Sequence, residues 1–154
     1  MMVITAKVKK RNIAIIIAAV AAILLFLLLP GKSATKSTAA NAGIKAETNE
    51  QRIAFLESFG WTAEASPIET QEVRIPEEEN EIFARYNELQ KSQGYDLSEY
   101  AGKNVKRYVY RITNHPDADS NYQATILVYK GKIIGGDIAS TDAGGKMHSF
   151  NMPA

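Results

Sequence analysis

The sequence predicts an α+β fold: an N-terminal transmembrane helix and a flexible tether, then two helices packed on an antiparallel sheet of about four strands ending in a three-stranded meander. Three observations predict it. An unbroken apolar run fills residues 13–29, two segments between residues 49 and 94 space their apolar side chains as a helix does, and three segments after residue 104 carry strand patterning.

The apolar run rises about 1.5 Å per residue as a helix, roughly 25 Å in all, at the short end of what spans a hydrocarbon core of about 30 Å. Lys10, Arg11 and Lys32 flank it and can snorkel to make up the difference. Residues 1–42 carry six basic side chains (Lys7, Lys9, Lys10, Arg11, Lys32, Lys36) and no acid, four before the run and two after it. The positive-inside rule therefore predicts a cytoplasmic basic tail at 1–12, a single membrane span at 13–29 and an extracytoplasmic remainder. A secretory signal has the same order of parts, and Ala40-Asn41-Ala42 offers a small-x-small cleavage site. That site lies far past the apolar run, behind Pro30-Gly31, so an uncleaved anchor in the cell membrane is the expectation.

Beyond residue 42 stand twelve basic and seventeen acidic residues, a net charge of −5 that opposes the +6 of the first part. Such a field repels nucleic acid and anionic membrane surfaces, and no nucleic-acid partner is expected. The absence of cysteine removes a lipoprotein anchor, disulfides, thiolate metal sites and cysteine nucleophiles. Residues 30–47 have almost no large apolar side chain and read as a flexible linker. Residues 48–154 then suffice for one modest core.

Thr48 or Asn49 caps a first helix with Ile53, Leu56 and Phe59 at three-residue spacing, Phe55 alongside, and Gly60 at the left-handed C-cap position. Trp61 folds back on it. Between Glu64 and Ile75 the pattern loosens to Ile68, Val73 and Ile75, which suits an edge strand starting after Pro67. Pro76 and Glu77, Glu78 and Glu79 open a second helix at its positive end, with Ile82, Phe83, Tyr86 and Leu89 as its apolar stripe and Gly94 closing it. Leu97, Tyr100 and Gly102 mark a compact connector.

Residues 105–113 alternate strictly, with Tyr108, Tyr110 and Ile112 on one face and Val105, Arg107, Val109 and Arg111 on the other. A polar turn over 114–121 leads into a near-continuous apolar strand at 122–129, expected to be central. Lys130-Gly131 is a two-residue hairpin turn, which sets Val128 beside Ile133 and Leu127 beside Ile134. Both faces of that hairpin are apolar, so both require cover.

Several residue groups invite a chemical reading. His115, Asp117, Asp119 and Asn121 resemble the opening of a calcium loop, where alternate side-chain oxygens converge on the ion. Tyr122 stands where that loop needs glycine and Val128 where it needs a bidentate glutamate, so a solvated turn is expected. Ser140, Asp142 and His148 include the residue types of a nucleophile, an orienter and a base, without a nucleophile elbow around Ser140. Gly135-Gly136 and Gly144-Gly145 lack the spacing of phosphate loops, and Gly135-Gly136 inside a strand marks a bulge or a close backbone approach. No catalytic residue, cofactor or metal ligand is assigned.

Seven tyrosines in so small a domain, together with the two-sided hairpin, fit a tyrosine-lined core, a binding groove or a self-association surface. The candidate binding surface comprises Tyr108, Tyr110, Gly135, Gly136 and Asp137. Arg107 and Arg111 either hold an anionic ligand or pair with Glu69 and Glu72 on a neighbouring strand.

Three blocks carry a family likeness: Arg52, Phe55-Leu56 and Phe59-Gly60-Trp61; Tyr86 to Lys103, with Gln90, Gln93-Gly94-Tyr95-Asp96-Leu97-Ser98 and Gly102; and Val128-Tyr129, Gly131-Lys132 and Ile134-Gly135-Gly136-Asp137. In these the chain resembles an uncharacterised domain-of-unknown-function family of short membrane-anchored proteins from Gram-positive, clostridia-like bacteria. The resemblance implies a shared fold and placement and brings no catalytic residues. The functional expectation is a non-enzymatic, membrane-anchored binding or interaction module that engages an envelope protein, a small ligand or a second copy of itself. The alternatives are a small extracytoplasmic hydrolase using Asp137, Asp142 or His148, which requires those side chains to meet in one pocket, and a sensor or regulatory partner of another envelope protein.

Overall fold

In the computed structural model, which describes residues 43–154, helix α1 (Asn49–Ser58) begins at Thr48. The Thr48 hydroxyl accepts from Gln51 N while Gln51 Oε1 accepts from Thr48 N, a reciprocal capping box. Helix α2 (Glu81–Ser92) is capped by Asn80, whose side chain accepts from Phe83 N at 2.9 Å. Pro76 and Glu77 to Glu79 therefore precede the helix instead of opening it, because an Asx cap satisfies a helical N–H that proline and glutamate leave bare. Both helices end in a Schellman motif. Gly60 and Gly94 take φ of 89° and 86°, Trp61 N donates to Leu56 O, and Tyr95 N donates to Gln90 O. The aromatic residue after each glycine is turned back and buried.

The sheet has five strands in the order β1-β2-β3-β4-β5, every neighbour antiparallel: β1 (Glu69–Arg74), β2 (Asn104–Ile112), β3 (Tyr122–Tyr129), β4 (Lys132–Ser140) and β5 (Met147–His148). A 3₁₀ turn, Leu97–Tyr100, links α2 to β2. The edge strand after Pro67, the central strand and the Lys130-Gly131 turn stand as read from the sequence. Lys130 and Gly131 both have positive φ, the conformation of a type I′ hairpin. The fifth strand is an addition to the four expected, since two residues cannot display an alternation. One register pair also differs. Val128 faces Ile133, but Leu127 faces Gly135, because Ile134 is the extra residue of a bulge.

Each face of the sheet has its own helix and its own core. Tyr110, Ile126, Ile138, Phe55, Leu56, Trp61 and Phe150 belong to the cluster on the α1 face, where Phe55 meets Phe150 edge-on at 4.9 Å. Val105, Leu127, Ile134 and Leu97 form the second cluster, with Phe83 and Tyr86 of α2 packed against it. The two-sided apolar hairpin is thus covered on both sides. Ile82, read as part of the α2 stripe, is 83% exposed, and Asn87 and Gln90 are buried instead.

The free edge of β4 is closed in three different ways. Residues 44–46, the last part of the stretch read as a linker, bond to Gly131 O and Ile133 N, and β5 pairs with Ile138 and Ala139. Between them, Gln90 Oε1 accepts from Gly136 N, and Gln93 Nε2 donates to Gly136 O while Gln93 Oε1 accepts from Phe150 N. Continuing the β4–β5 register would pair Gly136 with Phe150, so a side-chain amide is inserted where the ladder has stopped. The predicted tail at 1–12, the span at 13–29 and most of the 30–47 linker lie outside the described residues. Among the described residues no helix is long and apolar enough to cross a membrane.

Candidate functional site

The sheet register places Arg107, Leu127, Thr125, Asp137 and Ala139 on the α2 face. Helix α2 covers this face only in part, and a cavity of about 420 Å³ remains between them. Its walls are mainly apolar, from Val73, Ile75, Phe83, Leu97, Leu127 and Met147, and its polar groups include Tyr86, Arg107, Thr125 and Asp137. Gln123, Ser140 and Thr141 add further polar groups at its lining, and its size matches a small-molecule site.

Asp137 is 3% exposed. Its Oδ2 accepts from the Tyr86 hydroxyl at 2.7 Å, and its Oδ1 accepts no hydrogen bond among the described residues. Burial pushes the carboxyl up to about 6, against the opposing effects of the Tyr86 hydrogen bond and the Arg107 charge. Tyr86 is raised well above the ordinary phenol value by its own burial and by the adjacent carboxylate, so it stays a donor. Arg107 is itself committed: its Nη1 lies 2.7 Å from Glu69 Oε1 on β1. Of the two options read from the sequence, the ion pair with Glu69 is formed. Arg111 lies 3.4 Å from Glu64, and Glu72 accepts from Asn104.

The five residues of the candidate binding surface divide between the two faces. Asp137 lines the α2-side cavity. Tyr110 is fully buried on the α1 face, accepting from Arg52 Nε at 2.8 Å and donating to Asn49 Oδ1 at 2.9 Å. Tyr108 lies under the Arg52 guanidinium, 3.7 Å from ring centroid to Cζ, and borders a separate hollow with Glu72, Lys106 and Lys130. Gly135 and Gly136 are buried. A Cβ on Gly136 would stand 2.0 Å from Thr125 O and 2.4 Å from Phe150 Cζ, which is the close approach expected of that dipeptide.

Ser140, Asp142 and His148 do not assemble as nucleophile, base and orienter. Ser140 Oγ bonds Asp142 directly at 3.2 Å, and His148 turns to the 113–121 loop. Its Nδ1 donates to Ser149 O, and its Nε2 lies 3.2 Å from His115 Nε2. Asp117 N donates to His115 Nδ1, so His115 carries its proton on Nε2 and gives it to His148. Burial first, and then His148, hold the His115 pKa below the ordinary imidazole value. Asp117 is engaged by Asp119 N and by the Tyr122 hydroxyl. Among the described residues no group of three or more histidines or carboxylates is placed to hold a metal ion.

Sequence reasoning named Asp137 but missed the cavity and the partner Tyr86, which was read as one more apolar helix position. Alternation alone pointed the other way: with Val128 opposite Ile133, an unbroken β4 sets Asp137 on the Val128 face, and the bulge at Ile134 moves it to the face of Arg107 and Leu127. No curated protein and no solved structure matches the chain. A domain of unknown function, DUF4830, matches residues 55–138, a segment that takes in Tyr86, Arg107, Thr125 and Asp137. Since that segment is more than half of the sequence, the chain belongs to the DUF4830 family.

Proposed function

We propose that the folded unit is a non-enzymatic binding module, held on the outer face of the cell membrane of a Gram-positive bacterium by the 13–29 span, and that the cavity under α2 is where it engages a ligand or an envelope partner. The observation that carries the reading is the cavity of about 420 Å³, in which apolar side chains from α2 and the sheet surround the buried Asp137 and its partner Tyr86. Supporting the placement are the basic residues before the apolar run and the acidic balance after it.

Two measurements test it. Fractionation of the native host, with protease added to intact cells whose wall has been removed, is expected to give a full-length membrane species whose residues 48–154 are cleavable from outside. A soluble product starting near Gly43 would refute the anchor. For the cavity, an environment-sensitive apolar dye is expected to bind the full-length protein and to bind Ala139→Trp at least tenfold more weakly, since the indole fills the space. Equal binding by both proteins would refute the cavity as the site.

A further inference from the structure

Asp137 is an anion in the wrong place for a purely structural residue. It sits almost wholly buried on the floor of an apolar-walled cavity, and one carboxylate oxygen is satisfied by Tyr86. The other oxygen has no donor among the described residues. Removing a carboxylate from water without a paired cation is costly, and the nearest guanidinium, Arg107, is already held by Glu69. What Asp137 lacks is a cation bonded to it, since Arg107, which also lines the cavity, is paired with Glu69. A hard metal ion favours several charged oxygen ligands, whereas Asp137 is the one carboxylate of the lining, beside the Arg107 cation, and among the described residues no group of three or more histidines or carboxylates is placed to hold a metal. An anionic ligand would have to displace Glu69 from Arg107 and lie near Asp137. A compact ammonium group needs neither, and an apolar body attached to it would replace water along Leu127, Phe83 and Val73.

We propose that the cavity binds a primary amine with an apolar body, its ammonium hydrogen-bonded to Asp137 Oδ1 and its body packed between α2 and the sheet. This rests on the reading of the cavity as a ligand site and goes further by naming the ligand's chemistry. The titratable or charged groups facing Asp137 are the neutral phenol of Tyr86 from α2 and the guanidinium of Arg107 from β2. β3 presents Thr125 and Gln123 and β5 presents Met147, none of which titrates. Tyr86, raised well above the ordinary phenol value by burial, stays protonated throughout the accessible range. The carboxyl, pushed by burial up to about 6, is then the group whose ionisation the amine reads. As the pH falls through that value the carboxylate is neutralised and the amine loses its counter-charge.

The test uses full-length protein in neutral-lipid nanodiscs, titrated calorimetrically with 2-phenylethylamine, 2-phenylethanol and 3-phenylpropionate against empty nanodiscs. The amine is expected to bind at least tenfold more tightly than the alcohol at pH 7.5 and to lose about tenfold between pH 7.5 and 5, one unit below the carboxyl pKa. Asp137→Asn is expected to keep alcohol binding and abolish the amine's advantage, and Ala139→Trp to weaken both. If the alcohol or the carboxylate binds as tightly as the amine, or Asp137→Asn binds the amine as the native protein does, the amine assignment falls while the cavity remains a site. If none of the three probes binds, or Ala139→Trp binds them all unchanged, the cavity reading falls as well.

Discussion

Among the described residues each face of the sheet buries one charge, and the two faces treat it differently. On the α1 face Arg52, 6% exposed, gives its protons to Tyr110, to Ala46 O and to Glu47 O, and lays its guanidinium plane over Tyr108. On the α2 face Asp137 receives one hydroxyl and otherwise looks into a cavity. A buried ion surrounded by partners has nothing left to offer a ligand, whereas one that is half satisfied does. The first arrangement ties α1, residues 46–47 and β2 together; the second leaves β4 with unspent capacity. Arg52, Tyr108 and Tyr110 on the α1 face are thus engaged with one another and with α1, as in the tyrosine-lined core that was one of the readings of the tyrosine content.

The largest test of this contrast sits in one dipeptide. Gly136 faces Thr125 O and the Phe150 ring on the α1 side, while Gly135 faces the ends of Gln90 and Leu97 on the α2 side. Backbone and a packed ring cannot withdraw, and side-chain ends can. Gly136→Ala is expected to cost more than about 4 kcal/mol, and Gly135→Ala about 1 to 3. Urea titration of the full-length protein in mild detergent, read by the single tryptophan, Trp61, measures both. Equal costs would mean that the two faces are equally rigid.

Arg52→Met comes next. It removes the cation from a cage of carbonyls and hydroxyl that then have no donor, and a loss of about 3 kcal/mol in the same titration is expected. A loss below about 1 kcal/mol would show that the cage is not a structural tie.

Asp137→Asn should act in the opposite direction. The folded-state pKa of about 6 is raised above the ordinary carboxyl value, so the folded protein binds the extra proton. Stability from that proton is full below the unfolded-state pKa and is lost as the pH rises through about 6. The amide keeps the Tyr86 bond without the charge, so Asp137→Asn is expected to be about 2 kcal/mol more stable than the native protein at pH 7.5. At pH 4 the two should be alike. Destabilisation by the amide at pH 7.5 would place Asp137 with Arg52, as a charge the fold requires.

The parts of this contrast that follow from alternation or from cap residues were legible in the sequence. The β3 strand, the type I′ turn, the Gly60 and Gly94 stops and the opposite faces of Tyr108 and Arg107 all follow from local spacing. Which helix covers which face does not, because alternation separates two faces without saying what lies on either. The amide bridge from Gln90 and Gln93 was hidden for the same reason. Glutamine on a helix normally reads as solvated, and these two become buried only because β5 stops after His148 and leaves Gly136 and Phe150 to be satisfied. The start of α2 was misplaced because three glutamates after a proline imitate a first turn, while the single Asx cap at Asn80 decides it.

The smallest expected effect is also the most specific, because it compares two phenol hydroxyls that each touch a buried ion. Tyr110→Phe leaves Arg52 Nε without its acceptor, and arginine does not titrate, so its cost of about 1 to 2 kcal/mol should be the same at pH 5 and 7.5. Tyr86→Phe removes the donor to Asp137, and that donor stabilises the ionised carboxylate more than the neutral acid. Without it the carboxyl pKa rises further, so the proton-linked stability is lost more completely as the pH climbs through about 6. The cost of Tyr86→Phe should therefore be about 1 kcal/mol greater at pH 7.5 than at pH 5. Paired urea titrations at the two pH values measure the difference directly. A pH-independent cost for both variants would mean that Asp137 is protonated throughout or ionised throughout, and the two faces would then differ in packing alone.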